Sequence, residues 1–325
     1  MHVYETRIRV IIPWALFLFS VFFYISNLCP TISWRDSPEF VTVSYNLDIS
    51  HPAGSPAYSL SSKLLTLIPI GNIALRVNLF SAVSSSLCVA LICILINIVL
   101  DSLESIERSF ASLVGGLSII CSQAFNNFSL IAEVYTFQNC CLLVLLILSI
   151  KSYSYTSHSH LRFQYCFWFL YGISLGAHAV MAIYIPAFLV YDFISHKRIP
   201  KLKQVLFILF FSLFGFLVYL FLPLRSLSPL AFDWGDPETL HRFLSQIFDK
   251  KDSNKEIYYL INFSIFDLRP YISNLIGEFS IILCVVGVAG LIKLLINNFR
   301  VTVLLSLIFF TNILFFLNAY FYFRY

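Results

Sequence analysis

The chain has 325 residues, 59% hydrophobic and only 12% charged, with a net charge of +4. A soluble domain carries about 25% charged residues, so this composition excludes a water-soluble globule of this size and requires a surface that faces lipid. The small, dispersed positive charge also excludes nucleic acid as a partner, because no basic run suited to it is present.

In chain order, Arg7 and Arg9 precede an apolar run at 10–29. That run is long for a signal peptide, and Cys29-Pro30-Thr31-Ile32 is a poor cleavage site, so it is read as a retained first span. A loop at 30–76 follows, holding SWRDSPEF (33–40) and HPAGSP (51–56). Further spans are expected near 77–100, 110–125 and 137–150. The stretch 163–194 is too long for one ordinary span and is interrupted by Gly172, Gly176 and Pro186. It is expected to form two short helices turning near Ala177-His178. A span at 203–222, a long loop at 223–272 and final spans at 273–296 and 301–321 complete the chain. The expected architecture is one all-α integral membrane domain of eight to nine spans with interfacial loop helices. Its parts are the first span (10–29), a loop (30–76), a bundle (77–222), a second loop (223–272) and the last spans (273–321).

Lysine and arginine in short loops set sidedness. They place the N-terminus, 101–109, 151–162, the basic cluster SHKRIPKLK at 195–203 and the turn at 297–300 in the cytoplasm. The long loop 223–272 carries six Lys and Arg residues yet falls outside, which the rule tolerates for long loops. SWRDSPEF, HPAGSP, AEVYT at 132–136, His178 and the loop running from LPLRS to DWGDP then share the non-cytoplasmic face. None of these was used to assign it, so their convergence outlines one candidate site.

Each signal there has two readings. Ser37-Pro38 is a helix start, which puts Glu39 in a first turn. Asp36 and Glu39 then either complement a helix dipole or supply a general base for a hydroxyl acceptor. His51, in a turn stiffened by two prolines, binds a phosphate or sugar hydroxyl or bonds a loop carbonyl. Glu133 is a span-edge carboxylate, either snorkelling or functional, and Tyr135 offers a ring suited to a sugar face. Arg225 is an interface anchor or a phosphate ligand. The acids of DWGDP (233–237) read as structural caps before an amphipathic helix. Asn127 and Asn262 begin glycosylation sequons. The eight cysteines show no CxxC or Cys/His spacing and read as small buried hydrophobes.

The ordered set RDSPEF, HPAGSPAY, RVNLFSAVSSSL, AEVYTFQ, GISLGAHAVMAIYIP and LPLRS followed by DWGDPETLHRF resembles the membrane O-mannosyltransferase-like family of GT-C glycosyltransferases. The resemblance runs from about residue 10 to at least 250. It implies a GT-C-type helical bundle whose first non-cytoplasmic loop bears the catalytic acid. It implies a polyprenyl- or dolichyl-phosphate sugar donor, with mannose the expected hexose, and a protein Ser or Thr hydroxyl as acceptor. Asp36 and Glu39 fall on the family's acids. His51, Pro52 and Gly54 fall on its histidine-proline-glycine turn, Glu133 and Tyr135 on its Glu-Val-Tyr piece, and Arg225 on its proline-x-arginine piece; His178 lies in the matching GISLGAHAV stretch. Arg35 stands where the family has glycine, and Pro38 where a small residue is expected. Family members continue into further helices or a soluble part, whereas this sequence stops at FYFRY, as a short member or a fragment would.

The expected reaction is an inverting transfer with Asp36 as general base and Arg225 and His51 on the donor phosphate. No cofactor and no metal are expected, because no metal spacing is visible. The expected location is a multi-pass membrane, of the endoplasmic reticulum in a eukaryote or the inner or plasma membrane in a bacterium. The active site would face the lumen or periplasm. The rival reading is a polytopic transporter or lipid flippase, which places ionisable groups near the bilayer midplane.

Overall fold

The computed structural model describes residues 2–153, 157–197, 200–248 and 268–322. Among these the chain is helical, and the sole extended pairing is an isolated parallel bridge between Ile49 and Asp233. It divides into two compact units: residues 1–181 with 201–248, and 182–200 with 249–325. Lys250, Lys251, Lys255, Arg198 and the Asn262 sequon lie outside the described residues.

The first unit contains α1 (His2–Ser26), α2 (Ser37–Asn46), α3 (Pro56–Thr66), α4 (Ile73–Val99), α5 (Ser105–Cys121), α6 (Gln123–Ser129), α7 (Tyr135–Ser152) and α8 (Ser157–Leu175). Proline opens both α2 and α3, where its missing N–H costs no helical hydrogen bond. The Asn72 side chain caps α4 by accepting from Leu75 N–H at 2.8 Å.

Helix α4 is the spine, packing against α1, α3, α5 and α7. Its buried face is unusually polar for a span: Asn78, Ser81, Ser84, Ser85 and Ser86, with Cys88 and Cys93. Small side chains let neighbouring helices approach closely. Their hydroxyls return to their own helix, Ser85 to the Ser81 carbonyl at 2.7 Å and Ser86 to that of Ala82 at 2.9 Å. Beside this face Phe40, Tyr58 and Phe80 meet edge to face with centroids 5.1 and 5.5 Å apart, and Phe137 packs on Phe80 in a tilted pair at 5.2 Å.

Helix α8 ends at Leu175, and Gly176 to His178 make the turn expected near Ala177-His178. A 3₁₀ segment, Ala179–Tyr184, then leads into α9 (Ile185–His196). Within the first unit α8 packs on α10 (Leu202–Phe216) through facing glycines. A Cβ on Gly172 would meet the Ser212 carbonyl at 2.1 Å, and one on Gly215 that of Phe169 at 2.0 Å. The backbones touch, and no larger residue fits. Helices α11 (Phe221–Ser226) and α12 (Leu240–Phe248) complete this unit.

In the second unit α9 and α13 (Leu268–Asn297) both pack on α14 (Phe299–Tyr322). The Tyr184 hydroxyl donates to Asn312 Oδ1 at 2.7 Å. Helix α13 buries none of its residues and is interrupted at Ser280, whose φ is +61°.

Six helices among the described residues are long and apolar enough to cross a membrane: Arg9–Ser26, Ile73–Val99, Tyr135–Ser152, Ala179–His196, Leu202–Ser226 and Leu268–Asn297, with a shorter apolar stretch at Phe299–Phe315. The stretch expected as a span at 110–125 falls on the 17-residue α5, which stops where the Ser122 hydroxyl caps α6 through Phe125 N–H.

Candidate functional site

The turn before α2 sets the geometry. Arg35, where the family pattern has glycine, adopts φ +61°, a left-handed conformation that glycine enters most easily. Its guanidinium lies 4.2 Å from the Trp34 ring centroid and 4.9 Å from that of Phe128, contacts that offset part of the strain. Asp36 then takes the position before the helix, and its carboxylate makes no capping bond. It is left exposed and uncommitted.

Glu39 lies one turn on and is committed. Its Oε1 accepts the His51 backbone N–H at 2.6 Å, and its Oε2 accepts a hydrogen bond from His51 Nδ1 at 3.0 Å. This double bond fastens the HPAGSP turn to α2. The hydrogen bond to Glu39 is also the chief cause that raises the His51 pKa, against the opposing effect of burial. Beyond His51, Gly54 has φ +83°, and a Cβ there would meet Leu222 Cδ1 at 2.7 Å.

Glu133 comes from the connection between α6 and α7. Its backbone N–H reaches the Ser81 hydroxyl on α4 at 3.3 Å, while its side chain is 1% exposed with neither oxygen hydrogen-bonded. The Asp36 amide pulls on it electrostatically without reaching hydrogen-bond geometry. Burial, then the nearby Asp36 charge, push the Glu133 carboxyl up to about 7. His178 sits in the turn after α8. Its Nδ1 accepts Val180 N–H at 3.1 Å, which makes Nε2 the protonated, donating nitrogen. Burial holds its pKa down, to about 4, with His51 contributing.

Asp36, His51, Pro52, Glu133, Tyr135 and His178 line one cavity of about 60 Å³. Tyr135 stacks against His178 with centroids 5.6 Å apart. Six residues named from sequence, drawn from four separated stretches, are thus brought together. Glu39 joins through His51. Gly54 and Arg225 are not lining residues: Gly54 packs on Leu222, and Arg225 donates Nε to the Leu47 carbonyl at 3.0 Å and Nη2 to that of Asn46 at 3.2 Å. The DWGDP strap is structural as read. Asp233 accepts the Ser226 hydroxyl at 2.7 Å, Asp236 pairs with Arg242, and Gln246 on α12 donates to the Ser50 carbonyl at 2.8 Å.

Sequence reasoning did not single out Phe40, Ser55 or Ala179, which also line the cavity. Nor did it assign RVNLFSAVSSSL a task. There Arg76 donates to the carbonyls of Thr66, Ile70 and Gly71, and Asn78 to those of Cys29 and Thr31. The motif fastens both ends of the acid-bearing loop to α4, and a cation followed two residues later by Asn beside a Gly/Pro-rich loop was the available signal.

The family model for the protein O-mannosyl-transferase TMEM260 N-terminal domain matches residues 36–201. The protein O-mannosyl-transferase TMEM260 of Mus musculus is 27% identical over 223 residues, covering 66% of this chain and 30% of its own length. That of Dictyostelium discoideum is 23% identical over 301 residues, covering 87% of this chain and 36% of its own. The chain therefore spans about a third of the length of these curated relatives. No solved structure matches it.

Proposed function

Because the chain belongs to the protein O-mannosyl-transferase TMEM260 N-terminal domain family, we propose that it is a membrane glycosyltransferase of GT-C type with eight to nine spans. It moves a hexose, with mannose the sugar proposed, from a polyprenyl-phosphate donor to a protein Ser or Thr hydroxyl. The observation that carries this is the cavity lined by Asp36, His51, Glu133, Tyr135 and His178. Of these only Tyr135 lies within a candidate span, at its first residue, so the ionisable groups sit beside the spans rather than at their middle. That favours chemistry at the membrane surface over a transporter or flippase.

In this mechanism the acceptor oxygen attacks the anomeric carbon in line as its proton passes to Asp36, whose carboxylate is uncommitted. The bond to the phosphate breaks on the opposite side, through a transition state with oxocarbenium character. Phosphate departs without needing a proton, so a nearby cation suffices. His51, held by Glu39, is that cation in the cavity, and Glu39 is its positioning residue. Arg225, bonded to the last carbonyls of α2, anchors the helix that carries both acids. His178 donates from Nε2 to a sugar or phosphate oxygen, Tyr135 stacks on the sugar face, and Pro52 and Gly54 hold the turn close to the donor. The cavity would face the lumen of the endoplasmic reticulum in a eukaryotic host or the periplasm in a bacterial one.

The test is incubation of the purified chain with radiolabelled polyprenyl-phosphate mannose and a Ser/Thr-rich acceptor, beside Asp36→Asn. Label transfer by the wild type alone is expected. Full transfer by the variant would overturn the role of Asp36, and absence of donor binding would overturn the reading itself.

A further inference from the structure

The cavity carries more negative charge than its neighbouring cations answer. Asp36, Glu39 and Glu133 are three carboxyls in and around it. His51 is tied to Glu39, the Arg35 guanidinium lies over two aromatic rings and is the chief cation acting on Glu133, and Arg225 is bonded to backbone carbonyls. A donor phosphate entering here would add to that excess.

One ligand-type atom from each of Asp36, Glu39 and His51 lies within 4.8 Å of the other two. Donors on opposite sides of a hard divalent ion stand about 4–5 Å apart, twice a bond length of about 2.0–2.6 Å, so little movement closes the three around an ion. Glu39 Oε2 and His51 Nδ1 already stand 3.0 Å apart, the separation of neighbouring ligands around one ion with bonds of about 2.1 Å, so an ion there takes the place of the proton they share. Each Glu39 oxygen retains a further lone pair. A separate observation points the same way: Glu133 lines the same cavity, is 1% exposed, and has both oxygens without a hydrogen-bond partner. A buried carboxylate in that condition is costly unless a cation stands beside it.

We infer that Asp36, Glu39 and His51 bind one hard divalent cation beside this cavity, with Glu133 facing the same ion. Carboxylate-rich sites select ions of the Mg²⁺, Mn²⁺ and Ca²⁺ class. The sequence expectation of no metal rested on linear spacing, and residues 36, 39 and 51 follow no metal motif; the turn that folds HPAGSP onto α2 assembles the trio. The ion's task rests on the glycosyltransferase reading: it sits against the donor phosphate and takes over the positive charge of the His51 imidazolium, which gives up its Nδ1 proton when the ion binds. One Asp36 oxygen on the ion leaves the other for the acceptor proton.

The probe is Mn²⁺ alone, titrated into the detergent-purified chain without donor or acceptor. Binding is followed by calorimetry and by loss of the free-ion electron paramagnetic resonance signal. The wild type should bind one equivalent saturably. Asp36→Asn and His51→Ala should each weaken binding by about 10-fold or more, Glu133→Gln should weaken it less, and Asp236→Asn, remote from the cavity, should leave it unchanged. Thermal unfolding midpoints close to wild type show that the variants are folded, and His51→Gln replaces any that is not. No saturable binding by the wild type, or equal affinity in an Asp36→Asn/His51→Gln double variant, overturns the site. Mn²⁺ binding that follows this pattern in a chain that binds no lipid-phosphate sugar upholds the site and sinks the donor reading instead.

Discussion

Helices α4 and α13 have nearly the same mean hydropathy, 2.5 and 2.6, yet 44% of the first is buried and none of the second. The difference lies in what interrupts the apolar run. Along α4 the interruptions are Asn78 and the serines at 81 and 84 to 86, all buried and facing other helices. Along α13 the glycines at 277, 287 and 290 have nothing within 4 Å of a Cβ built on them. Hydropathy reports that a helix tolerates lipid; small polar residues on one face report that it is also part of a packed bundle. Only the helix of the second kind backs the candidate site, holding Glu133 through Ser81.

Substitutions can break or sharpen this contrast. The largest effect is expected at the site that α4 supports. Asp36→Asn should lower mannosyl transfer by about 10²–10⁴-fold, the usual contribution of a positioned base, whereas Glu278→Gln on α13 should leave the rate unchanged in the same radiolabel assay. Next come the glycines. Gly172→Leu has to separate two backbones in contact and should destabilise by about 3 kcal/mol or more. Gly287→Leu on α13 should stay within about 0.5 kcal/mol. Equal shifts in their thermal unfolding midpoints would erase the distinction between packed and unpacked helices. Gly54→Ala, at φ +83° and crowding the end of the flexible Leu222 side chain, should cost about 1–2 kcal/mol and reduce donor binding alongside. The smallest effect is one of pH. His178 has its folded pKa depressed to about 4, below the unfolded value of about 6.5, so the unfolded state takes up the proton first. Its contribution is complete above about pH 6.5 and declines as pH falls toward 4. A His178→Gln variant should show a flatter dependence of unfolding midpoint across that window; an unchanged slope would mean that His178 is not held neutral.

Much of the site was legible in the sequence. Charge is scarce in a lipid-facing chain, so Asp36, His51, Glu133 and His178 stood out individually, and the bias of Lys and Arg placed them on one face. The turn at Ala177-His178 was legible too, because Gly172, Gly176 and Pro186 interrupt a stretch too long for one span. The commitments of Glu39 and Arg225 were not. A carboxylate bonded twice to a histidine twelve residues on, or an arginine held by carbonyls nearly 180 residues away, leaves no periodicity and no local composition to read. Such bonds depend on which loops meet, and the packing of α2, α3 and α11 around the HPAGSP turn decides that. The end of the run forecast at 110–125 was not legible for a related reason: apolar content continues there, but the helix stops at Cys121, where Ser122 caps α6.

The bond from Gln246 to the Ser50 carbonyl joins residues 196 positions apart and sets an order of events at the ribosome. The acid-bearing loop leaves the exit tunnel early, whereas the strap that steadies the approach to His51 follows roughly 10–40 s later at ordinary elongation rates of about 5–20 residues per second. During that interval Asp36, Glu39 and His51 are already synthesised while the support for their turn is not. The nascent chain therefore acquires its chemical groups well before it can present them in working order, and completion of the cavity waits on α12.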